Sequence, residues 1–67
     1  MAINMENIIR EKRKQWGLSQ EDLAKKCGVT RQTVNAIENN KYDPTLTLAF
    51  SLAKALKITV EELFNPS

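Results

Sequence analysis

The 67-residue sequence contains no histidine and a single cysteine, Cys27. An intramolecular disulfide is therefore impossible, and a zinc site built from cysteine and histidine ligands is excluded. Ser19, Ser51 and Cys27 have no recognisable partner base, so the sequence indicates no nucleophilic or acid–base catalyst. We expect a protein that is not an enzyme and that needs neither a cofactor nor a metal. Cys27 is interpreted as a small buried residue.

Glycine and proline are also scarce, with two of each, and no apolar run approaches the roughly 18 residues that a membrane-spanning helix requires. Residues 1–14 lack the uninterrupted apolar stretch of a secretion signal. Apolar residues make up 42% of the chain and charged residues 27%, a balance typical of a compact helical domain. We therefore expect a cytoplasmic protein without membrane association, folded as one domain over residues 1–67.

Charge is distributed unevenly along the chain. Residues 1–42 hold eight basic and five acidic side chains, whereas residues 43–67 hold two basic and three acidic ones. The first part is thus net +3 and the second net −1. This asymmetry suggests a polyanionic partner for the first part only weakly, because a modest excess of basic residues is more often just a solvated surface.

Apolar spacing and capping residues predict five short helices. Apolar residues from Met5 to Trp16 recur at helical spacing, which predicts a first helix of about a dozen residues ending at Gly17. Ser19 is suited to cap a second helix, and Gly28 is suited to end it.

The remaining three helices are predicted from similar signals. A third helix covers residues 31–39, with Thr30 as its N-cap and Asn40 in the left-handed conformation that ends it. A fourth helix starts near residue 45. The segment 59–62 (TVEE) is a capping box that opens a fifth helix.

Small, flexible and apolar residues recur between residues 20 and 39 at the spacing that two crossing helices need. With Gln20 as position 1, Ala24 falls at position 5, Gly28 at 9, Val34 at 15 and Ile37 at 18. A small residue at Ala24 lets the two backbones approach, and Gly28 accepts the positive φ of a tight turn. This spacing predicts a helix-turn-helix.

Four linked segments carry a resemblance to a known family. They are residues 17–24 (GLSQEDLA), 28–34 (GVTRQTV), 37–39 (IEN) and 42–46 (YDPTL). Together they resemble the Cro/CI-type transcriptional regulators of the XRE family over nearly the whole chain. The resemblance implies an all-α, compact five-helix bundle: a lambda-repressor-like DNA-binding domain with its helix-turn-helix at about residues 20–39. It also implies a sequence-specific repressor that binds a palindromic operator as a homodimer.

In such a protein the second helix of the motif lies in the major groove of double-stranded DNA, with its first residues at the base edges. By matching positions, the residues expected to contact bases are Arg31, Gln32, Asn35 and Ala36. Those expected to contact phosphates are Gln20, Thr30, Thr33, Asn39, Lys41 and Tyr42.

Basic residues on the first helix have two interpretations. Arg10, Arg13 and Lys14 either attract DNA or merely solubilise that face. The resemblance to the XRE family implies a further alternative for Arg13, a structural brace with Glu38.

Apolar residues in the last third exceed what a bundle of this size is expected to bury. They predict a dimer interface formed by Leu46, Phe50, Val60, Leu63 and Phe64. An alternative use of the same surface is kept open, in which the chain is an antitoxin or anti-repressor whose fourth and fifth helices bind a partner protein.

Overall fold

The computed structural model describes residues 6–64 and contains five α-helices. They are α1 (Ile9–Gln15), α2 (Gln20–Cys27), α3 (Arg31–Glu38), α4 (Leu46–Leu56) and α5 (Val60–Leu63). Between residues 6 and 64 no β-strand forms, and the sheet-like pairing there is an isolated antiparallel bridge between Asn7 and Phe64. The predicted all-α, five-helix fold is confirmed.

Side-chain caps set the start of four helices. Ser19, Thr30, Thr45 and Thr59 each accept a hydrogen bond from the backbone N–H three residues later. Ser19 and Thr59 also form reciprocal capping boxes with Asp22 and Glu62, so the predicted box at residues 59–62 is confirmed. These caps satisfy N–H groups that have no partner within the helix.

Helix α1 is shorter than predicted, because the residues before it are engaged elsewhere. The backbone N–H of Ile8 donates to the carbonyl of Leu63 at 3.1 Å, and the side-chain oxygen of Asn7 accepts from the N–H of Ile9 at 3.1 Å. The chain is therefore tied to the end of α5 before it turns into α1. Met5, predicted as part of this helix, lies outside the described residues.

Left-handed residues follow four of the helices, beginning with Gly17 (φ 70°) after α1. Gly28 (φ 69°) follows α2 and Asn40 (φ 59°) lies just beyond α3, as predicted. Lys57 (φ 58°) ends α4 and was not predicted, since lysine carries none of the usual signal for this conformation. The N–H groups of Lys57 and Ile58 satisfy the last carbonyls of α4, at 3.2 and 3.0 Å.

The turn between α2 and α3 provides a direct test of the left-handed conformation. A Cβ added at Gly28 would meet no atom within 4 Å, so the cost of a substitution comes from its positive φ alone. We expect Gly28→Val to destabilise the domain by about 1 to 3 kcal/mol, and Gly28→Asn to cost clearly less. Urea unfolding of the three proteins measures this difference, and equal midpoints would contradict the assigned turn.

One hydrophobic core joins all five helices. Helix α4 lies at its centre and packs against α1, α2 and α5, while α2 also packs against α3. The buried apolar residues are Ile9, Leu23, Ala24, Val34, Ile37, Ala49, Leu52, Ala53, Leu56, Leu63 and Phe64. Cys27 packs half-buried against this core, and burial raises the pKa of its thiol. Among the described helices, none has the length and apolar character needed to cross a membrane.

Two residues predicted for the dimer interface belong instead to this core. Leu63 is fully buried and Phe64 is 3% exposed within the single chain. Both side chains belong to the core cluster, and the segment before α1 pairs with the end of α5 at this point through Asn7 and Ile8. The prediction of Leu63 and Phe64 as interface residues is therefore wrong.

Candidate nucleic-acid interface

Helix α3 has one buried face and one exposed face. Val34, Ile37 and Glu38 are buried, whereas Arg31, Gln32 and Asn35 are exposed. Ala36, the fourth predicted base-contacting residue, is half-buried at the edge of this face. The helix is thus anchored along one side and presents hydrogen-bonding side chains along the other.

The first turn of α3 is ordered by two threonines. The hydroxyl of Thr30 accepts from the backbone N–H of Thr33 at 3.2 Å, and the two hydroxyls lie 3.0 Å apart. Arg31 lies between them at the positive end of the helix dipole, where a cation is unfavourable by roughly 0.3 to 1 kcal/mol. Its position favours a role other than helix stabilisation.

A buried carboxylate holds α3 against the first two helices. The Glu38 side chain has no exposed area and accepts from Arg13 Nε at 2.7 Å, from Gln20 Nε2 at 3.2 Å and from Arg10 Nε at 3.3 Å. Arg13 also donates to the carbonyl of Leu18 at 2.9 Å. Of the roles left open for Arg13, the structure shows the brace with Glu38, and Arg10 and Gln20 join it.

Two opposing effects act on the pKa of Glu38. Burial alone would raise this pKa, but the hydrogen bonds from Arg13, Gln20 and Arg10 and the charge of Arg13 outweigh it. The pKa of Glu38 therefore lies below its ordinary value of 4.5. The group is a charged carboxylate near neutral pH.

The predicted phosphate-contacting residues surround the ends of α2 and α3. Gln20, at the start of α2, is half-buried and oriented by Glu38, while Lys41 and Tyr42 are exposed just after α3. The turn that carries them is held by Asn7, whose side-chain N–H group donates to the carbonyl of Ile37 at 2.8 Å. The same group donates to the side-chain oxygen of Asn40 at 3.2 Å.

Asn39 is already engaged within the protein. Its side-chain oxygen accepts from Arg10 Nη2 at 3.0 Å, and its Nδ2 donates to the carbonyl of Asn35 at 2.8 Å and to the side-chain oxygen of Asn35. Arg10 thus links α1 to the exposed face of α3. Neither this link nor the role of Asn7 was predicted, because both join residues about 30 positions apart in the sequence.

A separate apolar surface lies on α4 and α5. Leu46 is 70% exposed and Phe50 58% exposed. Phe50 borders a groove of about 580 Å³, whose other apolar lining residues include Ala53, Ile58 and Val60. Of the five predicted interface residues, Leu46, Phe50 and Val60 are thus accessible to a partner.

Comparison with known proteins agrees with this architecture. A family model described as helix-turn-helix matches residues 9–63, so the chain belongs to the helix-turn-helix family. The chain is 52% identical over 60 residues to an uncharacterized HTH-type transcriptional regulator of Methanocaldococcus jannaschii. This match covers 90% of the chain and 91% of that protein.

Solved structures are similar over most of the chain. The restriction-modification controller protein C.AhdI of Aeromonas hydrophila is 41% identical with a TM-score of 0.77, covering 84% of this chain and 81% of that one. The P22 c2 repressor, solved with a synthetic operator, is 27% identical with a TM-score of 0.83, covering 88% and 89%. The protein is therefore a DNA-binding transcriptional regulator of the XRE type.

Proposed function

We propose that this protein binds a palindromic operator as a homodimer and represses transcription by occupying it. The observation that supports this most directly is the exposed face of α3, where Arg31, Gln32 and Asn35 lie opposite the buried anchoring residues. A helix of this kind can enter the major groove with its first residues at the base edges. Since chromosomal operators lie in the cytoplasm of a prokaryotic cell, we place the protein there.

Each exposed residue of α3 matches a feature of the major groove. Arg31 offers two parallel donors to guanine O6 and N7, and Gln32 offers a donor and an acceptor to adenine. Asn35, one turn further along, adds a second amide at the same surface. Ala36 carries only a methyl group and suits the methyl of thymine.

The phosphate contacts are assigned to groups around α3. They are Gln20, Thr30, Thr33, Lys41 and Tyr42. Asn39 was predicted among them, but its amide is engaged by Arg10 and Asn35, which favours a positioning role instead. Because Glu38 holds Gln20, the phosphate contact at the start of α2 would be fixed relative to α3. These contacts would set the register of the protein on DNA without reading sequence.

The dimer interface is assigned to Leu46, Phe50 and Val60. A palindrome requires two recognition helices roughly 34 Å apart, and one chain supplies a single α3. The strong exposure of Leu46 and of Phe50, which borders an apolar groove, supports a self-complementary contact between two copies.

Replacing Phe50 with glutamate tests this interface. We expect Phe50→Glu to raise the dissociation constant of the dimer at least tenfold. Each copy would lose about 1.5 to 3 kcal/mol from the burial of the Phe50 side chain and would place a charge in the interface. Gln15→Glu adds the same charge at an exposed position of α1 outside the groove lining and is the matched control. Sedimentation over a range of concentrations measures the change, and a wild-type protein that stays monomeric would contradict the assignment.

Selection from a random duplex pool tests the function as a whole. We expect an inverted repeat with half-sites about one helical turn apart, bound with a steep salt dependence. If no sequence is enriched and binding stays weak, operator recognition is wrong. That result would favour the alternative in which α4 and α5 hold a partner protein.

A further inference from the structure

A chain of hydrogen bonds runs from Arg10 on α1 to Asn35 on the exposed face of α3. Arg10 Nη2 donates to the side-chain oxygen of Asn39 at 3.0 Å, and Asn39 Nδ2 donates to both the carbonyl and the side-chain oxygen of Asn35. Arg10 is itself held, because its Nε donates to the buried Glu38 at 3.3 Å. This series of hydrogen bonds thus begins at the Arg10 guanidinium, which is held by Glu38, and ends at Asn35, a residue proposed to contact a base.

The direction of every bond in this chain is determined by its first member. A guanidinium group can only donate, so the oxygen of the Asn39 amide must face Arg10. The nitrogen of the same amide then faces Asn35, and only an oxygen of Asn35 can accept from it. The Asn35 amide is therefore turned with its oxygen toward Asn39 and its nitrogen away from Asn39.

We propose that Asn39, oriented by Arg10, is a specificity-positioning residue that makes Asn35 a hydrogen-bond donor to DNA. An unconstrained asparagine favours adenine, because its amide can accept from N6 and donate to N7 at once. Because the Asn35 side-chain oxygen is turned toward Asn39, the side-chain N–H group of Asn35 faces the DNA. That group suits a base whose major-groove edge carries hydrogen-bond acceptors. Guanine matches best, since both O6 and N7 are acceptors. This inference rests on the proposed contact between α3 and bases.

The aspartate variant of Asn39 should reverse the preference. In Asn39→Asp the side chain still accepts from Arg10 but no longer donates to Asn35. Asn35 then gains by turning its nitrogen toward Asp at this position, and its oxygen would face the DNA. An acceptor at that point suits the amino groups of cytosine and adenine instead of guanine.

The experiment uses four operators that differ at a single base pair. That pair is the one at which Asn35→Ala abolishes discrimination. We expect wild-type protein to prefer guanine over adenine there by about tenfold, within the range of a specific base contact. The Asn39→Asp protein should prefer a base whose major-groove edge carries a hydrogen-bond donor. The Asn39→Ala protein, in which the Asn35 amide is no longer held by the side chain at position 39, should favour adenine.

The readout is the ratio of affinities for two operators. The added negative charge of Asn39→Asp lowers all affinities alike and therefore does not change this ratio. Circular dichroism melting checks that each variant folds, and Lys41→Ala is the control for a change in charge without a change in preference. If Asn35→Ala relaxes one base pair while both Asn39 variants keep the wild-type preference, the positioning role is overturned. If Asn35→Ala relaxes none, the base contact of Asn35 fails as well, and if no operator is selected, the proposed function fails with it.

Discussion

Replacing Glu38 with alanine is expected to lower the free energy of unfolding by about 3 to 5 kcal/mol, the range for breaking a buried ion pair. The Arg13 side chain is only 11% exposed, so the variant would leave a largely buried guanidinium without its carboxylate. Gln20 and Arg10 would lose the same acceptor. Urea unfolding at neutral pH measures the loss.

Glu21 provides the matched control for this substitution. Its carboxylate lies 3.9 Å from Lys25 on the surface of α2, with 63% of the side chain exposed. Because water screens such a pair, we expect Glu21→Ala to change stability by less than about 1 kcal/mol. Similar losses for Glu38→Ala and Glu21→Ala would mean that the buried network does not hold the helices together.

The Glu38 carboxylate also makes the stability of the fold depend on pH. The pKa of Glu38 is lowered in the folded chain, so its contribution is complete above the ordinary value of 4.5 and is lost as pH falls through the lower folded value. Asp22, whose pKa is lowered by the backbone and hydroxyl of Ser19, acts in the same direction. The difference in acid unfolding between wild type and Glu38→Gln isolates the part due to Glu38.

Arg31→Ala is expected to have the largest effect on operator binding. A bidentate contact to guanine is worth about 1 to 3 kcal/mol of discrimination, so affinity for the operator should fall by that amount and preference should relax at one base pair. Stability should change little, because Arg31 is exposed and no hydrogen bond to its side chain is found among the described residues. Competition binding with single-base operator variants measures both effects.

Lys41 separates sequence reading from charge attraction. Lys41→Ala removes an exposed cation after α3 and should weaken binding to all sequences alike, with a salt slope lower by about one unit. Arg31→Ala should instead change the ranking of sequences. If the two variants behave alike, the division between base-reading and phosphate-binding residues is incorrect.

Local signals explain which parts of the fold were predictable. Caps such as Ser19, Thr30 and Thr59 act within three residues, and Gly28 and Asn40 carry their conformational preference in their own side chains. Such features depend on the immediate sequence and are read from it directly. The exposed face of α3 follows in the same way from the helical spacing of its buried residues.

Features set by tertiary contacts were missed or misassigned. Lys57 adopts a left-handed conformation that its side chain does not favour, and Phe64 belongs to the buried core and pairs with Asn7, 57 positions earlier in the sequence. The orientation of the Asn39 amide likewise depends on Arg10. Nothing in the local sequence indicates contacts across such separations, and the fold determines them.

Trp16 joins two distant parts of the chain, since its indole N–H donates to the carbonyl of Leu56 at 2.8 Å while Lys57 Nζ lies 5.1 Å from the ring centre. It is the single tryptophan of the sequence and is 47% exposed. Tryptophan fluorescence therefore comes from this residue alone. The indole that is hydrogen-bonded to Leu56 and faces Lys57 has a different environment from an indole surrounded by water. The emission spectrum thus reports, without any added label, whether α1 is docked on the end of α4.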